Sequence, residues 1–210
     1  MQNTDGSLLC VQGLDQTSPP SAATGPSYYG PATTAASLTG AAAFAYAAKI
    51  YSARSEADLR AYGNDLAVRA KRAWDWATAN PSVLYYNNDD TKQPGSRGLA
   101  SGQQEMDNAQ RLFAKFEAAV YLYELTGDAI YKSFVESNYT SIVPSYGPTQ
   151  WDTDRQEALL YYTRLQGIGQ PPLKSYRQFN EGWLVNSWEV TEPSIGYQAQ
   201  YIRVLAKYVR

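Results

Sequence analysis

Apolar positions recur at helical spacing in six stretches of the chain, and the segments between them carry turn residues. Residues 32–52, "ATTAASLTGAAAFAYAAKIYS", form an Ala-rich helix in which Phe44, Ala47, Ala48 and Tyr51 fall on one face. Its many small residues would let a second helix approach closely. In "SEADLRAYGNDLAVRAKRAWDWATANP", Ser55 is placed to cap the N-terminus, and Asn80-Pro81 is a stop. Leu59, Tyr62, Leu66, Ala70, Ala73 and Trp74 line one side of this helix, while Arg69, Lys71 and Arg72 fall largely elsewhere.

A third helix, "QEMDNAQRLFAKFEAAVYLYELTG", carries the stripe Leu112, Phe116, Ala119, Val120 and Tyr123 and ends on Gly127 as its C′ residue. Three more are predicted over 128–139, from Trp151 to Leu165, and over "PSIGYQAQYIRVLAKYV" at 193–209. The strand signal is confined to Leu8–Val11, inside a loop-rich N-terminal segment, 1–31. Residues 82–103 read as a long polar loop, a length often associated with function. The pattern is that of an all-α chain built from antiparallel helix hairpins: a bundle, a solenoid or part of an α/α barrel. It has no fixed period, which disfavours a regular tetratricopeptide-type array, although "AAVYLYELTGDAIY" has that flavour.

Composition narrows the chemistry. Of the 210 residues 44% are apolar and 18% charged, so the chain can fill a core. The net charge is −2 with scattered Lys and Arg, so neither a nucleic-acid partner nor an anionic membrane surface is expected. No apolar run reaches the ~20 residues of a membrane span, and Met1 is not followed by a signal-peptide pattern. Cys10 is the sole cysteine, so no intrachain disulfide forms. There is no histidine, which removes Ser-His-Asp and Cys-His mechanisms in their usual forms and most catalytic zinc sites. Acid–base work near neutral pH would therefore fall to carboxylates. The 18 Tyr and 5 Trp supply rings of the kind that stack on sugars or bases.

Several stretches, taken in order, resemble family 9 glycoside hydrolases, the α/α-barrel cellulases. "MQNTDGSLL" is similar to the family's Met-Gln-Asn-x-Asp-Gly-Ser segment, and "TTAASLTGAAAFAYAAKIY" to the Ala-rich helix after it. "AKRAWDWATANP", "FEAAVYLYELTGDAIY" and "QWDTDRQEALLYYTRL" resemble its later helices, and "TEPSIGYQAQYIRVLA" its C-terminal motif around the general acid. The resemblance implies an (α/α)6 barrel of the six-hairpin type, incomplete and about half size, occupying 1–210 as a single partial domain. It further implies a secreted enzyme that hydrolyses β-1,4-glucosidic bonds in cellulose or related glucans with inversion.

By residue, the family's acid falls on Glu192 and the aromatic five positions on falls on Tyr197, with Ile195 at the apolar position between. The flanking asparagines are Thr191 and Gln198 here. The family's second carboxylate belongs to an Asp-Ala-Gly-Asp motif that precedes the Met-Gln-Asn segment with which this sequence opens. Its histidine- and arginine-containing binding motif has no histidine counterpart here, and the span between "LLYYTRL" and "TEPSIGY" is shorter than the family's.

Each candidate also has a structural reading. Glu192, directly before Pro193, suits the start of a helix as well as a proton donor. Tyr197 fits a sugar-facing ring or a core position beside Ile195, Tyr201 and Leu205. Trp151 and Trp183 are candidates for stacking on pyranose rings, and Tyr28, Tyr29, Tyr85 and Tyr86 could add subsites. Trp74 and Trp76, inside a helix, read as core. Asp107 is a conceivable but unsupported replacement base, and Asp5 reads as a turn residue. The "NNDD" at 87–90 is only loosely like a calcium-liganding loop, because no Gly or bidentate Glu follows at the needed spacing. No cofactor and no metal site is therefore assigned. The expected partner is a polysaccharide; a dimer or a further domain would cover any helix face that a half-size barrel leaves exposed.

Overall fold

A computed structural model describes residues 1–13, 28–98, 105–142, 158–159 and 161–165. The chain divides into two units, Met1–Thr126 and Gly127–Arg210. The first holds a two-stranded antiparallel ladder, β1 (Gln12–Gly13) and β2 (Tyr28–Tyr29), in which Gln12 faces Tyr29. It also holds three helices, α1 (Thr34–Ser52), α2 (Ala57–Ala79) and α3 (Asn108–Thr126). The second opens with α4 (Ala129–Ile142).

Helix α1 is the centre of the first unit and packs on both α2 and α3. Its N-cap is Thr33, in extended conformation, whose Oγ1 accepts the Ala36 N–H at 3.2 Å. Its inner face is built from Leu38, Ala41, Ala45 and Ala48, all buried. This face is rotated from the expected one: Phe44, Ala47 and Tyr51 are only half-buried. Close approach decides the matter, because alanines let the neighbouring backbones come in where Phe and Tyr rings would hold them off. At the C-terminal end of α1, Gly63 of α2 is buried so tightly that an added Cβ would sit 2.5 Å from the Ser52 backbone nitrogen. Beside it the Tyr51 and Tyr62 rings meet edge to face, with centroids 5.1 Å apart.

Helix α2 begins at Ala57, after a Glu56 cap that makes no side-chain hydrogen bond, rather than at an N-cap on Ser55. Ser55 instead donates its hydroxyl to the Glu56 carboxylate at 3.0 Å. The expected face is otherwise in place, with Leu66, Ala70, Ala73 and Trp74 buried, while Tyr62 is exposed. At the stop, the Asn80 backbone N–H and side-chain amide both donate to the Trp76 carbonyl at 2.9 Å. The Thr34 hydroxyl bonds the Asn80 carbonyl and accepts the Val83 N–H at 2.9 Å, tying the start of α1 to the end of α2.

The N-terminal segment folds onto these helices. Asp5 Oδ1 accepts the Ser7 N–H at 3.0 Å and its hydroxyl at 2.7 Å, the turn role expected of it. Those two bonds, the hydroxyl first, hold the Asp5 carboxyl below its usual range. Gly6, at φ +101°, lies against the Arg72 carbonyl, where a Cβ would come within 2.5 Å. Around Leu8–Val11 the chain makes single antiparallel bridges, Gln2 to Leu8 and Leu9 to Ala32, and the paired ladder starts only at Gln12.

Helix α3 is buried at five consecutive positions, Ala118–Leu122, so it is enclosed on every side rather than along one stripe. It starts at Asn108, later than its apolar spacing suggests, and Gly127 follows its last residue at φ +72°. Asp107 caps it: its Oδ1 accepts the Gln110 N–H at 2.8 Å and its own N–H donates to Gln110 Oε1 at 2.9 Å. In the second unit, α4 buries Tyr131, Val135 and Ile142, and the Tyr162 hydroxyl reaches Glu136 at 3.5 Å.

Replacing Gly63 with Ala tests the α1–α2 contact. An exposed helical Gly gains about 1 kcal/mol on becoming Ala. Here the new methyl meets the backbone of the neighbouring helix, so urea unfolding should show a loss of about 1–3 kcal/mol.

Candidate functional site

Among the described residues, the chemistry converges on a cleft of about 300 Å³ beside the N-terminal half of α1. Leu9, Cys10 and Val11 form one wall, Ala36, Gly40 and Ala43 of α1 the floor, and Tyr85, Glu105 and Met106 the far side. The lining is largely apolar, with a few polar groups facing in, which is the usual make-up of a ligand-binding cleft.

Glu105 is the most deeply placed ionisable group there, its side chain only 1% exposed. Oε2 accepts the Tyr85 N–H at 2.7 Å, and Oε1 accepts the Met106 N–H at 2.9 Å. The Arg111 Nη1 lies 3.5 Å from Oε1, and that guanidinium also donates to the Met106 carbonyl and, at 2.5 Å, to Asn108 Oδ1. A buried carboxylate needs such partners, since an unpaired charge in this setting costs several kcal/mol. Glu105 thus accepts from the Tyr85 and Met106 N–H groups and pairs with Arg111, which fixes the 85 and 105–106 backbones to the start of α3.

Cys10 stands at the opposite wall, its N–H donating to the Pro31 carbonyl at 2.9 Å. Burial pushes its thiol up to about 11, and the Glu105 charge adds to the effect. Gly30 is required next to it, because an added Cβ would lie 2.7 Å from the Cys10 sulfur. This group is barely legible in the sequence: Glu105 stands in a polar run that reads as the beginning of a helix. The Glu105-to-Arg111 spacing is the one cue, and it becomes informative only once 105–107 is known to be non-helical.

The expected site residues are distributed differently. Glu192, Tyr197, Trp151 and Trp183 lie outside the described residues. Tyr85 lines the cleft, whereas Tyr28 and Tyr29 are exposed on β2. Tyr86 lies under the Lys92 ammonium, 4.6 Å from its ring centre. Asp89 Oδ1 accepts the Thr91 hydroxyl at 2.5 Å and the Thr91 and Lys92 N–H groups at 3.2 Å. These bonds, the hydroxyl first, hold its carboxyl below the ordinary value. Asp90 pairs with Arg97. Both acids of "NNDD" thus serve the 88–98 loop, in which Asn88 takes φ +58° and its Oδ1 accepts the Gly98 N–H at 3.1 Å. Asp107 is engaged as the α3 cap described above. Trp74 is buried, with Lys115 of α3 4.9 Å from its ring centre, and Trp76 is partly buried against the core of Leu38, Ala77 and Ala114.

The cleft makes two measurable predictions. Alkylation of Cys10 should follow a titration with its midpoint near 11, well above the ordinary 9.0. Because the folded-state value is raised, the stability linked to this thiol is complete below pH 9.0 and falls as pH rises towards 11; Cys10→Ala should abolish that part of the alkaline loss. Glu105→Gln should lower the alkylation midpoint and, by leaving Arg111 buried without its carboxylate, cost about 3 kcal/mol or more in urea unfolding.

Comparison with known proteins places this geometry in a family. The model for glycosyl hydrolase family 9 matches residues 14–200. No curated protein sequence matches the chain. A metagenome-derived family 9 endoglucanase is 22% identical with a TM-score of 0.65, and the match covers 98% of this chain and 42% of that one. A Bacteroides ovatus family 9 protein is 21% identical, TM-score 0.62, over 88% of this chain and 33% of its own. The family 9 endoglucanase J30 is 17% identical, TM-score 0.69, over 98% and 40%. This chain therefore spans less than half the length of the solved structures it matches. With its helical hairpins and a family match over most of its length, the chain belongs to glycosyl hydrolase family 9 and represents part of that family's (α/α)6 barrel.

Proposed function

We propose that this chain is part of a secreted glycoside hydrolase that cleaves β-1,4-linked glucans with inversion, and that Glu192 is its general acid. The observation that carries the reading is the extent of the family match: it runs to residue 200 and so includes "TEPSIGYQAQ", the segment holding Glu192. That two of the solved relatives are endoglucanases supports the choice of substrate class. Among the described residues no helix is long and apolar enough to cross a membrane.

Glu192 would donate its proton to the departing glycosidic oxygen as the bond to the anomeric carbon breaks. In an inverting enzyme a second carboxylate, roughly 6.5–9.5 Å away, takes a proton from the water that attacks the opposite face. The family resemblance puts that base in an Asp-Ala-Gly-Asp motif, which this sequence does not contain. As the residue before Pro193, Glu192 is expected from the sequence to avoid the α region, which would suit a proton donor standing clear of a helix start. Trp151 and Trp183 would stack on pyranose faces, and Tyr197 would present its ring or hydroxyl to the sugar beside the acid.

The second reading is a carbohydrate-binding protein of the same fold that holds the glucan without cleaving it. One experiment separates the two. Reducing-sugar release from soluble cellulose should fall by about 10²-fold or more in Glu192→Gln. The loss should shrink on an aryl glycoside whose leaving group needs no proton. Equal activity of both proteins removes Glu192 from catalysis, and glucan binding without product from either protein establishes the second reading.

A further inference from the structure

We propose that the cleft beside the N-terminal half of α1 binds a small neutral aromatic molecule with one polar substituent, a simple phenol, rather than a sugar ring. The proposal rests on the volume and lining of the cleft, and it stands whether or not Glu192 catalyses. The cleft holds about 300 Å³. An apolar cavity of about 150 Å³ accepts one benzene, so a substituted ring fits with room to spare. The floor is a strip of α1 running from Ala36 through Gly40 to Ala43, about 10 Å or two turns along one helix face. Leu9 and Val11 line one side of it, and Tyr85 and Met106 the other. An aromatic guest suits these walls, because a thioether and a tyrosine ring both make favourable contacts with the edge or face of a ring.

The polar groups of the lining decide against a sugar. Both Glu105 carboxylate oxygens already accept backbone N–H groups, and Arg111 pairs with the same carboxylate. The Thr33 hydroxyl oxygen accepts the Ala36 N–H, and the Leu9 and Cys10 N–H groups donate to the Met1 and Pro31 carbonyls. The Gly30 N–H is shared between the Cys10 and Val11 carbonyls at 3.0 and 3.1 Å. A pyranose carries a hydroxyl on almost every ring carbon, and each one buried without a partner brings the desolvation cost of that group. A phenol brings one. Thr39 and Ala43 are the exposed members of the lining, whereas Thr33, Ala35 and Asn87 are buried. The ring therefore enters towards the buried end, and its hydroxyl stays at the Thr39 end, in reach of water. A carboxylate on the ring would stand near the Glu105 charge, so the guest is neutral.

Isothermal titration calorimetry of the 210-residue chain with p-cresol tests the proposal. Glucose and p-toluate serve as comparison ligands, and Ala36→Leu and Ala43→Leu as variants. Leucine at either position fills the floor of the cleft while keeping a good helix former in α1. Circular dichroism checks that each variant is as helical as the parent, and Ala43→Leu, at an exposed position, carries the test if Ala36→Leu disturbs the fold. The expected result is saturable one-to-one binding of p-cresol with a dissociation constant of about 1 mM or below. Each folded variant should weaken it at least about tenfold, and neither glucose nor p-toluate should bind measurably. Absence of saturable p-cresol binding, or binding as strong in the folded variants as in the parent, overturns the proposal. So does binding of glucose or p-toluate as tight as that of p-cresol, because the cleft would then select for something other than a neutral ring.

Discussion

The distance at which α1 meets its neighbours governs the first unit. Gly63 has no room for a methyl group against the Ser52 backbone, and Ala41, Ala45 and Ala48 are fully buried along the rest of the inner face of α1. Packing of this kind draws little from the burial of large side chains and much from dense van der Waals contact. It also leaves the larger groups to the margins. Tyr46 meets Tyr121 with ring centres 5.1 Å apart, Tyr51 meets Tyr62 at the same separation, and Leu8 is seated on Gly40. The polar ties through Thr33, Thr34, Ser37 and Asn80 are possible because the helix ends are already close. Leu8 N–H, for example, reaches Ser37 Oγ at 2.9 Å.

That constraint explains which features were legible in the sequence. The existence and order of α1 to α4 follow from the 3.6-residue spacing, and the ends at Asn80-Pro81 and Gly127 follow from residues with strong local preferences. The buried face of α1 is not legible, because hydrophobicity ranks Phe44 and Tyr51 above alanine, whereas tight packing selects the smaller residue. The start of α2 differs from the expected one because Ser55 has the chemistry of a cap, but its hydroxyl is taken up by Glu56. The start of α3 lies later than the pattern suggests because Glu105 and Met106 continue it. Their backbone is in fact held by the Glu105 carboxylate, a non-local interaction that periodicity cannot register. The family was legible through several short motifs in order, none of which is specific alone.

The absence of histidine puts the weight of any acid–base chemistry on carboxylates, and most of those described are committed to structure. Asp5 and Asp89 close turns, Asp107 caps a helix, Asp65 and Asp90 pair with arginines, and Glu105 anchors two backbone segments. Asp5 and Asp89 are held by donors that stabilise the charged form, the opposite of what a proton donor near neutral pH requires. A general acid needs a carboxyl in partly desolvated surroundings with few donors, and the inverting mechanism needs a second one across the sugar.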